Sequence, residues 1–417
     1  MKVEIRQLSK IKPYEKNQRK IPPKAVDKVA LSLTTYDWRQ PIVVDKKGVI
    51  VAGHTRWLAA RQLGWNEVPV HVASNLTPAQ IRAYRLMDNR SHQETDWDLD
   101  LLGPELLDLK NLGMDLSMTG FDIREIDELL ADPELEDRAN AVPELPKNPV
   151  TKLGDGWLCG KHRVLCGDAT AADAVSRACG PLKPFLMVTD PPYGVDYDPM
   201  WREEAGLGQQ RQTGKVANDD QADWTAAYKH FPGDVAYVWH AGVYAGEVSA
   251  NLITLGFLIR AQIIWMKQHF AMSRGHYHWG HEPAYYAVRK GRSAHWNGDR
   301  TQSTIWQVPN LNPMGGDRNE KATGHGTQKP VELMRRPIVN HTKRGDAVYD
   351  PFLGSGTTML AAELTERVCI GIDIDPRYVD VAVMRWQEFT GQEATLEGVG
   401  RTFKQVKAQR TKGAKRA

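Results

Sequence analysis

The sequence has 417 residues, enough for two or three domains of ordinary size. Hydrophobic residues make up 41% and charged residues 25%, the balance of a soluble globular protein. No apolar stretch reaches the length that crosses a membrane, and no apolar run of a signal peptide follows the charged start. We therefore expect a cytoplasmic protein with no membrane partner. The net charge of +3 excludes no class of partner by itself.

Residues 1–130 are predicted to form a first domain of mixed strands and helices. The predicted elements are, in order, an opening strand, a helix after Pro22-Pro23, strands at 41–44 and 49–51, a helix from Gly53 to Gly64 and a helix from Pro78 to Asp88. No centromere-type helix–turn–helix is evident after this first domain.

The next 19 residues, 131–149, contain four prolines among acidic side chains, a composition typical of an exposed linker. Residues 150–395 then alternate short apolar strands with helical patterns, which predicts an α/β sheet of mainly parallel strands. From Arg401 to Ala417 there are seven Lys or Arg residues and no Asp or Glu, which predicts a disordered basic tail over 396–417. A contact of this tail with DNA and a merely solvated tail are both left open.

The four cysteines, Cys159, Cys166, Cys179 and Cys369, include no CxxC pair, and a chain of this length does not need disulfides. The spacing of Cys159, His162 and Cys166 lacks an identifiable fourth metal ligand. The apolar residues around it predict a half-buried hairpin with packed thiols. No metal site is therefore predicted.

An apolar strand at 186–189 runs directly into Asp190-Pro191-Pro192-Tyr193. The two prolines remove backbone donors and fix φ, which gives a rigid turn at the carboxyl end of the strand. Ligands of open α/β sheets bind at that edge. Tyr193 can stack on a flat aromatic ligand while Asp190 accepts a hydrogen bond from its amino group. We predict that these four residues are catalytic; the alternative is a surface turn with an incidental tyrosine.

A second strand ends in the glycine-rich run Asp350-Pro351-Phe352-Leu353-Gly354-Ser355-Gly356-Thr357, which opens a helix. Its glycines let a ligand approach the backbone closely. Another strand ends at Asp373, 23 positions after Asp350. Strand, glycine turn, helix, strand and acidic residue in this order are typical of nucleotide sites whose carboxylate holds ribose hydroxyls. The run lacks the lysine of a phosphate-binding P-loop.

Together these motifs resemble those of the amino-methylating DNA methyltransferases, in which Asp-Pro-Pro-Tyr is the catalytic motif and Phe-x-Gly-x-Gly the cofactor motif. A third segment, His325 to Leu333, also matches that family, and the motif order resembles its β class. The resemblance covers roughly residues 150–391. It implies a Rossmann-like α/β methyltransferase sheet, S-adenosylmethionine as cofactor and duplex DNA as partner, with the target base flipped out of the duplex.

The resemblance also assigns roles to individual residues. The cofactor-binding residues that it implies are Asp350, Phe352, Gly354, Ser355, Gly356 and Thr357 around the methionine part, Asp373 at the ribose, Asp168 at the adenine ring, and Thr327, Gln328 and Lys329 completing the pocket. For Asp168 the alternative is a simple turn carboxylate.

The residue before Pro-Pro-Tyr is Asp rather than Ser, which favours N6 of adenine as the target and leaves N4 of cytosine as the alternative. No Pro-Cys dipeptide occurs, which argues against methylation at C5 of cytosine. Methylation of RNA or of a protein glutamine is also open, as is a DNA-binding regulatory protein with an inactive methyltransferase domain. A homodimer is left open as well.

Two polar segments are candidates for contact with DNA. The loop from Asp196 to Asp223 either closes over DNA or is disordered. The stretch 269–320 is rich in His, Arg, Trp and Asn, which suits target recognition by phosphate and base-edge contacts. Its alternative is a metal cluster of His276, His278, His281 and Glu282, which we do not predict.

The run Val51-Ala52-Gly53-His54-Thr55-Arg56 resembles the ParB N-terminal domain, a small α+β fold. That family places a Gly-x-x-Arg turn at a helix start, where backbone N–H groups and the arginine hold phosphate. Its nucleotide-hydrolysing members have an acidic residue after the glycine, where this sequence has His54, so hydrolysis is not expected. The candidate phosphate-binding residues, for a nucleotide or for DNA, are Gly53, His54, Thr55 and Arg56; the alternative is a structural accessory domain.

Overall fold

The computed structural model describes residues 2–91, 94–195, 219–271, 276–297, 302–309 and 328–414. The chain divides into two compact units, residues 1–130 and 131–417. Each unit has its own sheet and its own buried core. Within the described ranges, no helix is both long enough and apolar enough to cross a bilayer.

The first unit surrounds a four-stranded sheet. Its strands are Val3–Gln7 (β1), Ile42–Val44 (β2), Ile50–Ala52 (β3) and Glu67–Val72 (β4). Its helices are Pro23–Tyr36 (α1), His54–Gln62 (α2), Pro78–Ser91 (α3), Leu99–Asn111 (α4) and Ile123–Leu129 (α5), with 3-10 turns at Leu8–Lys10 and Leu116–Thr119. The strand order is β1-β4-β2-β3, and only β2 and β4 pair in parallel. The elements expected as far as α3 are all found.

The second unit contains a ten-stranded mixed sheet. Its strands are Gly156–Cys159 (β5), His162–Cys166 (β6), Leu186–Thr189 (β7), Val235–Trp239 (β8), Phe257–Ala271 (β9), Trp279–Arg289 (β10), Ile305–Gln307 (β11), Ala347–Asp350 (β12), Val368–Asp373 (β13) and Thr395–Leu396 (β14). Their order is β11-β9-β10-β8-β7-β12-β13-β6-β5-β14. The five central strands, from β8 to β6, are parallel, and antiparallel strands flank them. The expected α/β sheet is confirmed.

Helices cover both faces of this sheet. They are Pro133–Asn140 (α6), Ala172–Cys179 (α7), Thr225–Tyr228 (α8), Ala245–Thr254 (α9), Val331–His341 (α10), Thr357–Leu364 (α11), Pro376–Thr390 (α12) and Phe403–Ala414 (α13), with a 3-10 turn at Gly242–Tyr244. Leu186 and Val188 of β7 enter one core and Met187 the other, because strand side chains alternate between faces.

The parallel pairing brings the carboxyl ends of β6, β7, β12 and β13 to one edge of the sheet. Asp168 follows β6, Asp190 follows β7, and Asp350 and Asp373 close β12 and β13. Four acidic residues that are far apart in the sequence are thus placed along a single edge.

The segment 131–149, expected to be an exposed linker, contains helix α6. Asp132 caps this helix by accepting hydrogen bonds from the N–H groups of Glu134 and Leu135, and Pro133 occupies its first turn. Acidic residues and proline are favoured at helix starts, so the composition that suggested a linker marks a helix N-terminus instead. Ala139 is fully buried in the core. The linker interpretation is therefore wrong for this part.

Residues 403–414 of the basic tail form helix α13. Phe403 and Val406 of α13 lie three positions apart, on one side of the helix, and both are buried. Arg410 donates hydrogen bonds from its guanidinium to the Asp155 carboxylate and to the Val150 carbonyl. The expectation of disorder is wrong because it weighed the charges and overlooked this apolar pair.

Candidate active site

The Asp-Pro-Pro-Tyr turn after β7 is held in place by residues 219–224. Asp219, which is buried, accepts hydrogen bonds at Oδ1 from the N–H groups of Tyr193 (3.0 Å) and Gly194 (2.9 Å). Gly194 has a φ of 76°, and a Cβ there would lie 2.7 Å from the Gln221 backbone. The indole of Trp224 donates to the Pro192 carbonyl at 2.9 Å. The Asp-Pro-Pro-Tyr turn therefore has a fixed geometry.

Five side chains with polar ends meet at this turn, and we call them the carboxylate–lysine cluster: Asp190, Tyr193, Lys267, Glu282 and Lys329. The Lys329 ammonium donates to Asp190 Oδ2 (2.8 Å), Tyr193 Oη (2.9 Å) and Glu282 Oε2 (2.8 Å). The Tyr193 hydroxyl donates to Asp190 Oδ1 at 2.7 Å. Lys267 on β9 is ion-paired with Glu282 on the neighbouring β10. All three ammonium donors of Lys329 are thereby used.

The charges of the cluster follow from its geometry. Burial disfavours an ionised Glu282, but Lys329 and Lys267 outweigh it and lower the pKa of Glu282 to about 2. Burial also disfavours a charged Lys329, yet Asp190 and Glu282 raise the pKa of its ammonium. The pKa of Asp190 is raised, because burial outweighs the attraction of Lys329. Burial, Asp190 and Glu282 raise the pKa of Tyr193 as well, so the phenol stays protonated.

The glycine-rich turn after β12 is bound to its neighbours by the two acidic residues. Asp350 is buried, and its carboxylate accepts from the hydroxyls of Thr189 (2.7 Å) and Thr358 (2.6 Å) and from the Phe352 N–H (3.1 Å). Burial raises the pKa of Asp350 to about 6 despite these donors. Three donors from the protein occupy this carboxylate. Asp350 therefore shapes the turn, and its predicted contact with the cofactor stays a prediction.

Asp373 joins the glycine turn to the next strand. Its Oδ2 accepts from the Gly354 N–H (2.7 Å) and its Oδ1 from the Asp375 N–H (2.9 Å). Burial raises the pKa of Asp373 to about 7, against the effect of both N–H groups. Gly354 and Gly356 have φ values of 54° and 86°, which favour glycine.

A buried arginine lies beneath the same turn. Arg385 Nη1 donates to the carbonyl of Ser355 (3.0 Å) and to the hydroxyl of Thr357 (3.2 Å). Its Nε and Nη2 donate to the Ala139 carbonyl of α6 at 3.0 and 2.6 Å. Burial lowers the pKa of Arg385 to about 9. Arg385 thus connects the glycine turn with the end of α6.

The end of α6 also holds the segment before α10. The Asn140 carbonyl accepts from Gln328 Nε2 (3.0 Å), and Asn140 Oδ1 accepts from the Val331 N–H (2.9 Å). Gln328 Oε1 is buried without a hydrogen-bond partner within the described residues. Lys329 was expected in the cofactor pocket, whereas its ammonium lies against Asp190. Thr327 lies outside the described residues.

Other predicted residues are placed as follows. Asp168 is exposed and accepts at Oδ1 from the N–H and hydroxyl of Thr170, both at 2.8 Å, as a turn carboxylate does. The loop from Asp196 to Asp223 is described only from residue 219, and much of 269–320 also lies outside the described residues. Glu282, which the sequence suggested only as a ligand of an alternative metal cluster, belongs to the carboxylate–lysine cluster.

The cysteine segment forms the expected hairpin of β5 and β6, with Cys159 and Cys166 buried as free thiols. His162 accepts from the Cys369 N–H at Nδ1 (2.9 Å) and contacts the Glu363 carboxylate through Nε2 (2.5 Å). Within the described ranges, no three His, Cys, Asp or Glu side chains are grouped as metal ligands.

In the first unit, the phosphate-binding candidates lie at the start of α2. Gly53 caps the helix with a φ of 100°, and His54 Nε2 accepts from the Tyr14 N–H at 3.2 Å. Burial and Arg85 lower the pKa of His54, so the ring is a neutral acceptor. Arg56 donates to the carbonyl and side chain of Gln40. Thr55 is half-buried beside them.

Sequence comparison assigns the chain to known families. Residues 185–384 match the DNA methylase family whose members act on N6 or N4, residues 2–89 the ParB N-terminal domain, and residues 100–153 the ParB-methyltransferase HTH domain. The last match covers α4, α5 and α6; it begins within the first domain and runs past residue 130, so the expectation that no helix–turn–helix follows that domain is wrong. Helices α5 and α6 are short, with 7 and 8 residues, and α6 has the composition of a linker.

The chain is also similar to individual proteins over part of its length. The chain is 26% identical to the type II methyltransferase M2.MboI of Moraxella bovis, over 49% of this chain and 81% of that protein. It is 40% identical to the type II methyltransferase M.Cfr9I of Citrobacter freundii, over 24% of this chain and 30% of that protein. The crystal structure of the M1.HpyAVI–SAM complex is similar at 24% identity and a TM-score of 0.39, over 54% of this chain and 98% of that one.

The fold and the family matches define a DNA methyltransferase of the class that modifies base amino groups. The chain combines this methylase domain with a ParB-like N-terminal domain and a helix–turn–helix segment. The methylase match supports S-adenosylmethionine as the cofactor and DNA as the substrate, as expected from the motifs.

Proposed function

We propose that this protein transfers the methyl group of S-adenosylmethionine to the N6 amino group of adenine in duplex DNA, at a specific sequence. The observation that carries this proposal is the fixed Asp-Pro-Pro-Tyr turn, with an Asp190 carboxylate that can accept a further hydrogen bond. The turn lies beside the glycine-rich turn of β12, because β7 and β12 are adjacent parallel strands.

The residues at this edge suit the cofactor. The left-handed Gly354 and Gly356 leave the turn without side chains where a ligand approaches the backbone. Asp373 provides carboxylate oxygens for ribose hydroxyls at the end of the next strand. Gln328 Oε1, which has no hydrogen-bond partner among the described residues, is an acceptor suited to the ammonium of the methionine part. When bound, S-adenosylmethionine supplies an electrophilic methyl group on a sulfonium.

The protein's own residues prepare the amino group. The lone pair of this nitrogen is delocalised into the base, which makes the nitrogen a poor nucleophile. Acceptors at Asp190 and at the Pro191 carbonyl bind its two hydrogens and favour a tetrahedral nitrogen whose lone pair is free. Orientation and fixed electrostatics then supply the catalysis. Tyr193 is proposed to stack on the flipped base.

Adenine is proposed over cytosine because Asp190, rather than a serine, precedes Pro-Pro-Tyr. The carboxylate–lysine cluster serves either amino group equally well. N4 of cytosine is therefore the second candidate.

The test is transfer of labelled methyl from S-adenosylmethionine to unmethylated duplex DNA, with nucleoside mass spectrometry of the product. We expect N6-methyladenine, and a loss of about 100-fold or more in Asp190→Ala. Asp173→Asn, an exposed carboxylate on α7, is the matched control and should retain full activity. Detection of N4-methylcytosine instead would change the target base of the proposal and leave the rest of it intact. Labelled RNA or protein without labelled DNA would contradict the proposal.

The roles of Gly53, His54, Thr55 and Arg56 in binding phosphate, whether of a nucleotide or of DNA, stay predictions, as does a homodimer. The α2 N-terminus supports phosphate binding through its N–H groups. A neutral His54 adds no charge to it. Nucleotide binding to wild type and Arg56→Ala, measured by calorimetry, tests the first prediction, and sedimentation tests the second.

A further inference from the structure

Three charged residues of the carboxylate–lysine cluster, Lys267, Glu282 and Lys329, have no part in the mechanism above. Glu282 and Lys267 lie on adjacent strands, with side chains only 22% and 14% exposed. Ionised groups withdrawn from water cost free energy, and an ion pair recovers that cost only with good geometry. Glu282 nevertheless has two lysine partners, and its Oε2 is also 3.3 Å from the Tyr193 hydroxyl. This placement connects Glu282 directly to Tyr193 and, through Lys329, to Asp190.

We infer that Glu282 is a positioning residue for methyl transfer: it offsets the charge of Lys329 so that Asp190 can take up the proton released by the amino nitrogen. This inference rests on the proposed function. Glu282 does not touch the base. It acts through Lys329 and Tyr193, which it shares with Asp190.

The charge balance of the reaction shows why a second carboxylate is needed. The amino nitrogen forms a bond to the methyl carbon while the sulfur–methyl bond breaks and leaves a neutral thioether. The nitrogen, now positively charged, releases one proton to Asp190. Before transfer, two carboxylates and two ammonium groups make the cluster neutral; afterwards it carries a charge of +1. Without Glu282 these charges would be +1 and +2, which would oppose proton uptake by Asp190.

Titratable groups from several described elements surround Asp190, among them the phenol of Tyr228 on α8. Lys267 comes from β9, Glu282 from β10, Lys329 from the segment before α10, Tyr193 from the turn and Asp350 from β12. Glu282 raises the pKa of Asp190, and Lys329 lowers it. Asp190 in turn contributes to the raised pKa of Asp350. Removal of a negative member of the cluster should therefore lower the pH at which Asp190 takes up a proton, and removal of a positive member should raise it.

The experiment measures the single-turnover rate of methyl transfer to duplex DNA from pH 5 to 9 for the full-length wild type, Glu282→Gln and Lys267→Met. In Glu282→Gln we expect a rate roughly tenfold lower and an acidic limb moved by about half to one pH unit toward lower pH. In Lys267→Met the limb should move toward higher pH. A merely structural role would not give opposite shifts.

Glu247→Gln, an exposed carboxylate on α9, is the control and should keep the wild-type rate and profile. Thermal unfolding shows whether each variant folds. If Glu282→Gln does not fold, the direction of the shift in Lys267→Met alone tests the inference. Unshifted acidic limbs in folded variants would overturn the inference and leave the proposed function intact. A wild-type protein that methylates no DNA would overturn both.

Discussion

Single residues outside the recognisable motifs fix the geometry of the Asp-Pro-Pro-Tyr turn. Asp219 lies 26 positions after Tyr193, and one carboxylate oxygen accepts from two consecutive backbone N–H groups. The hydrogen bonds from Tyr193 and Gly194 to this one oxygen restrain the end of the turn that is farther along the chain from β7. The two prolines restrict φ but have no N–H groups that could form hydrogen bonds within the turn. An acceptor from outside the turn, Asp219, therefore helps to fix it through the N–H groups of Tyr193 and Gly194.

We predict that Asp219→Ala leaves these N–H groups unpaired and lowers the single-turnover rate about tenfold, at a cost of about 1–3 kcal/mol in the free energy of unfolding. Affinity for S-adenosylhomocysteine, measured by calorimetry, should change little, because the hydrogen bonds that Asp219 accepts come from the Asp-Pro-Pro-Tyr turn and the glycine after it. Asp219→Asn keeps an oxygen acceptor and should retain most of the rate. An equal loss in both variants would argue against this role.

The second prediction at this scale concerns Asp373. Burial raises its pKa from 3.8 to about 7, so the carboxyl is protonated below neutral pH and is a weaker acceptor for ribose hydroxyls. Affinity for S-adenosylhomocysteine should therefore fall below pH 7, by at most about tenfold per pH unit. Calorimetry from pH 5.5 to 8.5 measures this decline. Asp373→Asn should bind weakly and without the pH dependence.

The same pKa has a consequence for stability. The folded protein holds this proton between pH 3.8 and about 7, where the unfolded chain has lost it. The contribution of Asp373 to the free energy of unfolding is therefore complete below pH 3.8 and is lost as the pH rises toward 7. A bound ligand that donates to the carboxylate would counteract this loss.

At the scale of elements, α6 stabilises the part of the site that is proposed to bind the cofactor. Its last residues hold two segments at once: Ala139 accepts from Arg385 below the glycine turn, and Asn140 accepts from Gln328 and Val331. The helix matched by the HTH family is thus packed into the methylase fold.

We predict that Asn140→Ala, which removes the acceptor of the Val331 N–H at the start of α10, weakens binding of S-adenosylhomocysteine about fivefold and lowers stability by about 1 kcal/mol. Calorimetry and chemical denaturation measure the two effects. Asn140→Asp keeps the acceptor and should be close to wild type. Unchanged affinity in Asn140→Ala would show that α6 does not position the cofactor segment.

Motifs within one strand–turn unit were predictable from the sequence, because the prolines, glycines and apolar run that define such a turn are consecutive. Glu282 and Tyr193 lie 89 positions apart, and only the packing of β10 beside β8 brings them together. A signal did exist: Glu282 interrupts a largely apolar strand. Helix α13 had the apolar pair Phe403 and Val406, but nothing in the sequence identified Trp157 as the ring against which Phe403 packs.

At the scale of the whole molecule, the two units have separate sheets and cores, and the boundary between them follows residue 130. Helix α6 belongs to the second unit, although the match to the HTH family continues across the boundary. A methylase fragment is therefore expected to need residues that precede its first strand.

We predict that a fragment of residues 131–417 folds cooperatively, whereas a fragment of residues 150–417 is destabilised by several kcal/mol. The shorter fragment lacks the Ala139 carbonyl and leaves the buried Arg385 guanidinium with unpaired donors, a larger penalty than the loss of a neutral hydrogen bond. Chemical denaturation of both fragments measures the difference. In the shorter fragment, Arg385→Met should recover part of the stability by removing the buried charge, while in the longer one it should be destabilising. Equal stability of the two fragments would mean that Arg385 finds other acceptors and that α6 is dispensable for the fold.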